Sequence, residues 1–221
     1  MQIARKLMAK RLEGEPQLPY NPFTQEDLSF DYSRIHPKCH ASENSYDEII
    51  LYKGALRGYE NEGLLSLALS RGLVSHVTDV KAIIEQEDDD LIRELFDKHT
   101  SYYFFTVLLS ATLNPEQAQV FASTHHWVRK KEDKTIYQLK IRANRCVVDC
   151  YDTGGCGSSK ELLILGAIFP EEILAVKITN DDQHSELIGN WNGVRVIRTF
   201  PDKDSINRDV KDPNNWMYLP R

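Results

Sequence analysis

The 221 residues suffice for one sizeable domain with its own core, and 41% hydrophobic with 27% charged residues argues against a fibrous or disordered chain. A net charge of -6 and a pI near 5.7 argue against a broad footprint for a phosphate backbone, so nucleic acid is a disfavoured partner. No apolar run approaches the roughly 20 residues that cross a bilayer, and the N-terminus lacks the apolar core of a signal peptide, so a soluble chain with no membrane partner is expected.

In chain order, residues 1–12 form a candidate basic amphipathic helix, after which Gly14, Pro16, Pro19 and Pro22 break the chain repeatedly. Residues 1–45 are therefore expected to be an N-terminal arm with short helices, one of them starting at Thr24 and running over 24–30. From Asp47 the run DEIILYKG predicts an apolar strand closing at Gly54, and a folded domain is expected over 46–221. Helices are predicted over 61–71, stopped by Gly72, and over 78–98 as one or two segments. The acidic run at 85–90 is expected to be a solvent-facing helix turn, since no ligand motif adjoins it.

After His99 the residues YYFFTVLLSAT predict a strand ending at Thr112, and NPEQAQVFASTHH a short helix with proline in its first turn. Further strands are predicted at 135–141, 145–152, 161–165 and 173–178, the second and third separated by a glycine-rich loop, TGGCGSS. The tail from Asp181 is polar, with one predicted strand at 193–200. Helices first and short strands afterwards predict an α+β domain with mainly antiparallel sheets. A Rossmann domain is excluded, because the glycine loop leads from one strand into another and not into a helix.

Cys146, Cys150 and Cys156 stand as C-x3-C-x5-C, which matches neither usual zinc spacing, so with Cys39 they are expected to be buried thiols, suited to a reducing compartment. His36, Cys39 and His40 lack a fourth ligand, and His125 with His126 are expected to be solvent-facing. No metal is predicted.

Three segments in order resemble the blocks of the mono-ADP-ribosyltransferase family whose signature is Arg, Ser-Thr-Ser and Glu. Glu161, Gly166, Ile168, Pro170 and Ile173 occupy the places of the family's catalytic Glu strand and the turn and strand after it. Ser110, Ala111 and Thr112 stand for Ser-Thr-Ser, with Ala118 and Phe121 in the helix that follows. LYKG puts Lys53 where the family has arginine, ahead of Gly54, and Arg57 lies close by as a substitute. The resemblance covers residues 47–178.

That resemblance implies an ADP-ribosyltransferase-like fold, helices plus two mainly antiparallel sheets around an NAD cleft, and NAD as co-substrate. It assigns Glu161 to stabilise positive charge on the ribose as nicotinamide leaves, and Ser110 to position Glu161 or the ribose. Thr112 would shape the same wall, and Gly54 would bring its backbone to the nicotinamide amide. Lys53 or Arg57 would hold the diphosphate, and Tyr103, Phe121 or Tyr102 would sandwich the nicotinamide. Two residues before the catalytic Glu, arginine-modifying members carry a second Glu; here Ser159 stands there, which implies an acceptor protein modified elsewhere than on arginine. Family habit implies a bacterial toxin or effector that acts on a host protein in a target-cell cytosol. An NAD glycohydrolase and a non-catalytic NAD-binding module are the alternatives.

Overall fold

In a computed structural model, the described residues are 23–56, 63–66, 69, 75–86, 88–102, 107–124, 134–148, 161–179, 184–191, 194–200 and 216–218. They form an α+β structure in which every strand pairing is antiparallel.

The main sheet has seven strands: β1 (Glu48–Leu56), β3 (Leu108–Thr112), β4 (Lys134–Arg142), β5 (Cys146–Val148), β6 (Glu161–Leu165), β8 (Ile173–Thr179) and β11 (Met217–Tyr218). Across the sheet they run β11, β8, β4, β1, β3, β6, β5. Two small ribbons accompany it, β2 (Leu64–Leu65) with β7 (Ala167–Ile168), and β9 (His184–Trp191) with β10 (Val194–Phe200).

Successive side chains of a strand point to opposite faces, and both faces of this sheet are covered at its centre. On one face Leu51, Ala111, Leu139, Ile141, Leu162 and Ile164 share a buried cluster with Cys146 and Ile173. On the other, Leu108, Leu163, Leu165 and Val147 meet two helices, α1 (Ser75–Glu85) and α2 (Asp89–Tyr102), through Val77, Val80, Ile84, Ile92 and Phe96. Residues 162–165 thus bury every side chain, which is why ELLIL reads as an unbroken apolar run and not as an alternating one. Each fully buried aliphatic side chain contributes on the order of 1.5–3 kcal/mol.

A third helix, α3 (Pro115–Thr124), starts where Asn114 Oδ1 accepts the Glu116 N–H at 2.9 Å with proline next to the cap. It lies over β1 at Gly54, and a Cβ on that residue would collide with the Ala118 carbonyl and the Ala122 nitrogen. Gly54 therefore does not close its strand, which continues to Leu56; its missing side chain makes room for the helix.

The strand β6 is anchored by a buried ion pair. Arg145 Nη1 stands 2.8 Å from Glu172 Oε1, with the side chains 0% and 4% exposed. The second guanidinium nitrogen donates to the carbonyls of Leu165 and Ala167, and Glu172 Oε2 accepts the Phe169 N–H at 2.8 Å. The guanidinium also covers the Phe169 ring, 4.8 Å from its centroid. Between the two strands Gly166 takes φ +72°, where a Cβ would also come 2.8 Å from Leu28 Cδ2.

Several expectations need correction. The capping exchange between Thr24 and Asp27 is present, but the residues at 24–30 make only a turn: Phe30 N–H leaves for the Asn144 carbonyl at 2.7 Å, and Leu28 and Phe30 are drawn into the core. Ile35 and Cys39 join them, so residues 23–45 pack against the core through these four side chains, and Tyr32–Arg34 and Pro37–Cys39 are short 3-10 turns.

The helix expected over 61–71 is replaced at its start by β2, because Gly63 adopts φ +71° and Leu64–Leu65 pair with β7. The described part of the acidic run at 85–90 faces solvent at Gln86, Asp88 and Asp90 as expected, at the junction between α1 and α2, where Asp88 caps Leu91 N–H at 3.0 Å and Asp89 approaches His36 and Lys38 at 3.7 and 3.9 Å. The strand expected after His99 begins only at Leu108. Ile92, Phe96 and His99 continue one buried helical face that outweighs the aromatic β-propensity, so Tyr102 ends a helix. The tail carries a hairpin where one strand was expected.

Cys39 and Cys146 are buried thiols as expected, and burial pushes the Cys146 pKa up to about 12. Cys150, Cys156, His125 and His126 lie outside the described residues, as does the glycine loop. No helix among the described residues is long and apolar enough to cross a membrane.

Candidate active site

The middle of the main sheet holds an interruption. β1 pairs with β4 along all nine residues, yet its other edge registers with β3 at a single pair, Tyr52 opposite Thr112. β3 in turn pairs with β6 along its whole length, and Thr112 stands opposite Glu161. Tyr52, Thr112 and Glu161 thus make one row across three strands, and directly opposed residues point to the same face. Ser110, two residues along β3, belongs to that face as well. A carboxylate and two hydroxyls are gathered where β1 and β3 part.

Where β1 and β3 separate, the Ser110 carbonyl accepts a hydrogen bond from Lys53 Nζ at 2.6 Å. Burial lowers the ammonium pKa to about 8, and the Glu161 carboxylate acts in the opposite direction by stabilising the charge. The cation named by the LYKG block is therefore close enough to Glu161 to be felt by it, but its hydrogen bond is made to the serine strand.

The serine is gripped at its other end too. His99, on α2 and only 5% exposed, places Nε2 2.9 Å from Ser110 Oγ. Burial first, and then the Lys53 ammonium, lowers the imidazole pKa to about 4, so the ring is neutral at ordinary pH. His99 marks only the end of a predicted helix in the sequence; no motif flags it. Its spacing from Ile92 and Phe96, on one helical face, is the signal that it turns inward.

Thr112 is 1% exposed, and its Oγ1 accepts the Asn114 N–H at 3.0 Å, so it shapes the turn from β3 into α3. Phe121 is half-buried on that helix. Gly54, assigned to a close backbone approach, has the side a Cβ would occupy filled by the α3 backbone. Lys53, Ser110, Thr112 and Glu161 are thus brought together, with His99 added. Arg57, Tyr103 and Ser159 lie outside the described residues. Among the described residues no group of His, Cys, Asp and Glu has the geometry to hold a metal ion.

This arrangement can place a negative charge and the Ser110 hydroxyl against a sugar carbon that becomes positive, with the Lys53 cation held close by. The chain matches no protein-family model and none of the curated proteins.

Proposed function

We propose that this protein is a mono-ADP-ribosyltransferase, which cleaves NAD between nicotinamide and ribose and transfers ADP-ribose to a protein side chain other than arginine. The observation that carries the proposal is the placement of Glu161 at the opening residue of β6, opposite Thr112 and on the same sheet face as Ser110, beside the ammonium of Lys53.

Departure of nicotinamide with the bonding electron pair leaves positive charge on the ribose, and the Glu161 carboxylate stabilises it as it develops. The hydroxyl of Ser110 lies on that carboxylate's side of the sheet, suited to a hydrogen bond with a ribose hydroxyl or with the carboxylate itself. Because Lys53 already donates to the Ser110 carbonyl, its part is to hold the serine strand, and the diphosphate falls to Arg57. Ser159 cannot serve as a carboxylate base for a guanidinium, which points the transfer to another side chain. Delivery as an effector into a host or target-cell cytosol belongs to the same proposal.

The test incubates wild type and Glu161→Ala with labelled NAD, with and without cell lysate, and follows both protein-bound label and free nicotinamide. One discrete labelled band that the variant does not produce supports the reading. Nicotinamide release unchanged by lysate and without labelled protein assigns a glycohydrolase, and NAD binding without release assigns a non-catalytic module. Modification sites mapped to arginine would overturn the acceptor assignment.

A further inference from the structure

We propose that His99 is the positioning residue of this site: through its ring it holds the Ser110 hydroxyl in the orientation that faces the reacting sugar. This rests on the NAD reading above and adds to it a residue that no motif of the sequence marks.

Ser110 is held at both ends, its carbonyl by Lys53 Nζ at 2.6 Å and its hydroxyl by His99 Nε2 at 2.9 Å. A serine side chain has three staggered positions, and a hydroxyl that must meet substrate in one of them gains from being fixed beforehand. The hold itself is rigid. His99 sits in the last turns of α2, whose Ile92 and Phe96 are fully buried against the sheet, so the ring cannot swing away without opening the core.

The choice of histidine follows from the charge nearby. A lysine or arginine in this place would add a second fixed cation next to Lys53, opposing the positive charge that forms on the sugar. An aliphatic residue would leave the hydroxyl without its partner. A neutral imidazole supplies the hydrogen bond without the charge, and the buried surroundings of His99 keep it neutral.

The experiment measures nicotinamide release for wild type, His99→Leu, His99→Gln, Ser110→Ala and the double variant His99→Leu/Ser110→Ala, together with the imidazole 15N shifts of His99 in wild type and Ser110→Ala. His99→Leu should lower kcat roughly tenfold to a hundredfold, with KM changed by less than about twofold. It should have no further effect in the Ser110→Ala background. His99→Gln, whose amide reaches the place of Nε2 and carries no charge, should recover most of the loss, and it carries the test should His99→Leu fail to fold. The ring shifts should move in Ser110→Ala.

Losses that add in the double variant, or a His99→Gln no better than His99→Leu, overturn the inference. So do ring shifts indifferent to Ser110→Ala, whatever happens to turnover. A wild type that releases no nicotinamide overturns the NAD reading instead, and the ring shifts then decide by themselves whether His99 holds Ser110.

Discussion

Among the described residues, Arg145 and Lys53 are two cations withdrawn from water and given different partners. At the turn after β6, Arg145 meets a buried carboxylate, two carbonyls and an aromatic ring, although its buried Nε has no hydrogen-bond partner. At the β1–β3 seam, Lys53 donates to a neutral carbonyl, and its carboxylate neighbour Glu161 sits half-buried at the mouth of a strand. Burial lowers the pKa of both cations, that of the lysine to about 8. A charge of the first kind, held by buried partners, locks a turn, whereas a charge set beside a half-buried carboxylate is placed to act on something that enters.

This contrast can be broken at either end, and the largest effect is expected at the lock. Arg145→Ala leaves Glu172 buried without its cation and should cost about 3–5 kcal/mol, read as a lower denaturant midpoint, while turnover per folded molecule is kept. Glu161→Gln should do the reverse. Nicotinamide release should drop by roughly a hundredfold to a thousandfold with the denaturant midpoint nearly unchanged. If Glu161→Gln proved the more destabilising of the two, the seam would be a structural feature and not a site.

The next effect concerns pH. The His99 pKa falls from 6.5 to about 4 on folding, so between those values the unfolded chain binds the proton more readily. The stability tied to the neutral ring is complete above pH 6.5 and is lost as pH falls toward 4, by roughly 3 kcal/mol. Unfolding curves of wild type and His99→Gln at pH 7 and pH 4.5 check this, and the variant should show a smaller acid loss. Smallest is Gly54→Ala, where the added methyl group meets the α3 backbone and should cost about 1–3 kcal/mol in the same assay. A neutral outcome would mean that α3 can shift away from β1.

Much of the architecture was legible. Alternating or unbroken apolar runs marked β1, β4, β6 and β8, Asn114–Pro115 marked the start of α3, and the resemblance to the transferase blocks singled out Glu161 at the head of its strand. The errors came where a distant contact outweighed a local preference. Leu64–Leu65 has a helical pattern but finds β7, and Tyr102 has strand propensity but continues a helix whose inner face is already committed. Of the hairpin of β9 and β10 only the second strand was expected, because the first lies in a stretch that reads as polar.

The sequence by itself determined the α+β class and most strands, because periodicity and turn chemistry act over a few residues, and its resemblance to the transferase blocks nominated the carboxylate, hydroxyls and cation. Only the tertiary structure decided who holds whom. His99 reaches Ser110 across 11 positions and Lys53 across 57, and Gly54 yields its space to a helix that begins 61 residues later. Such contacts depend on how a sheet splits and where a helix crosses it, and no short stretch of chain contains that information.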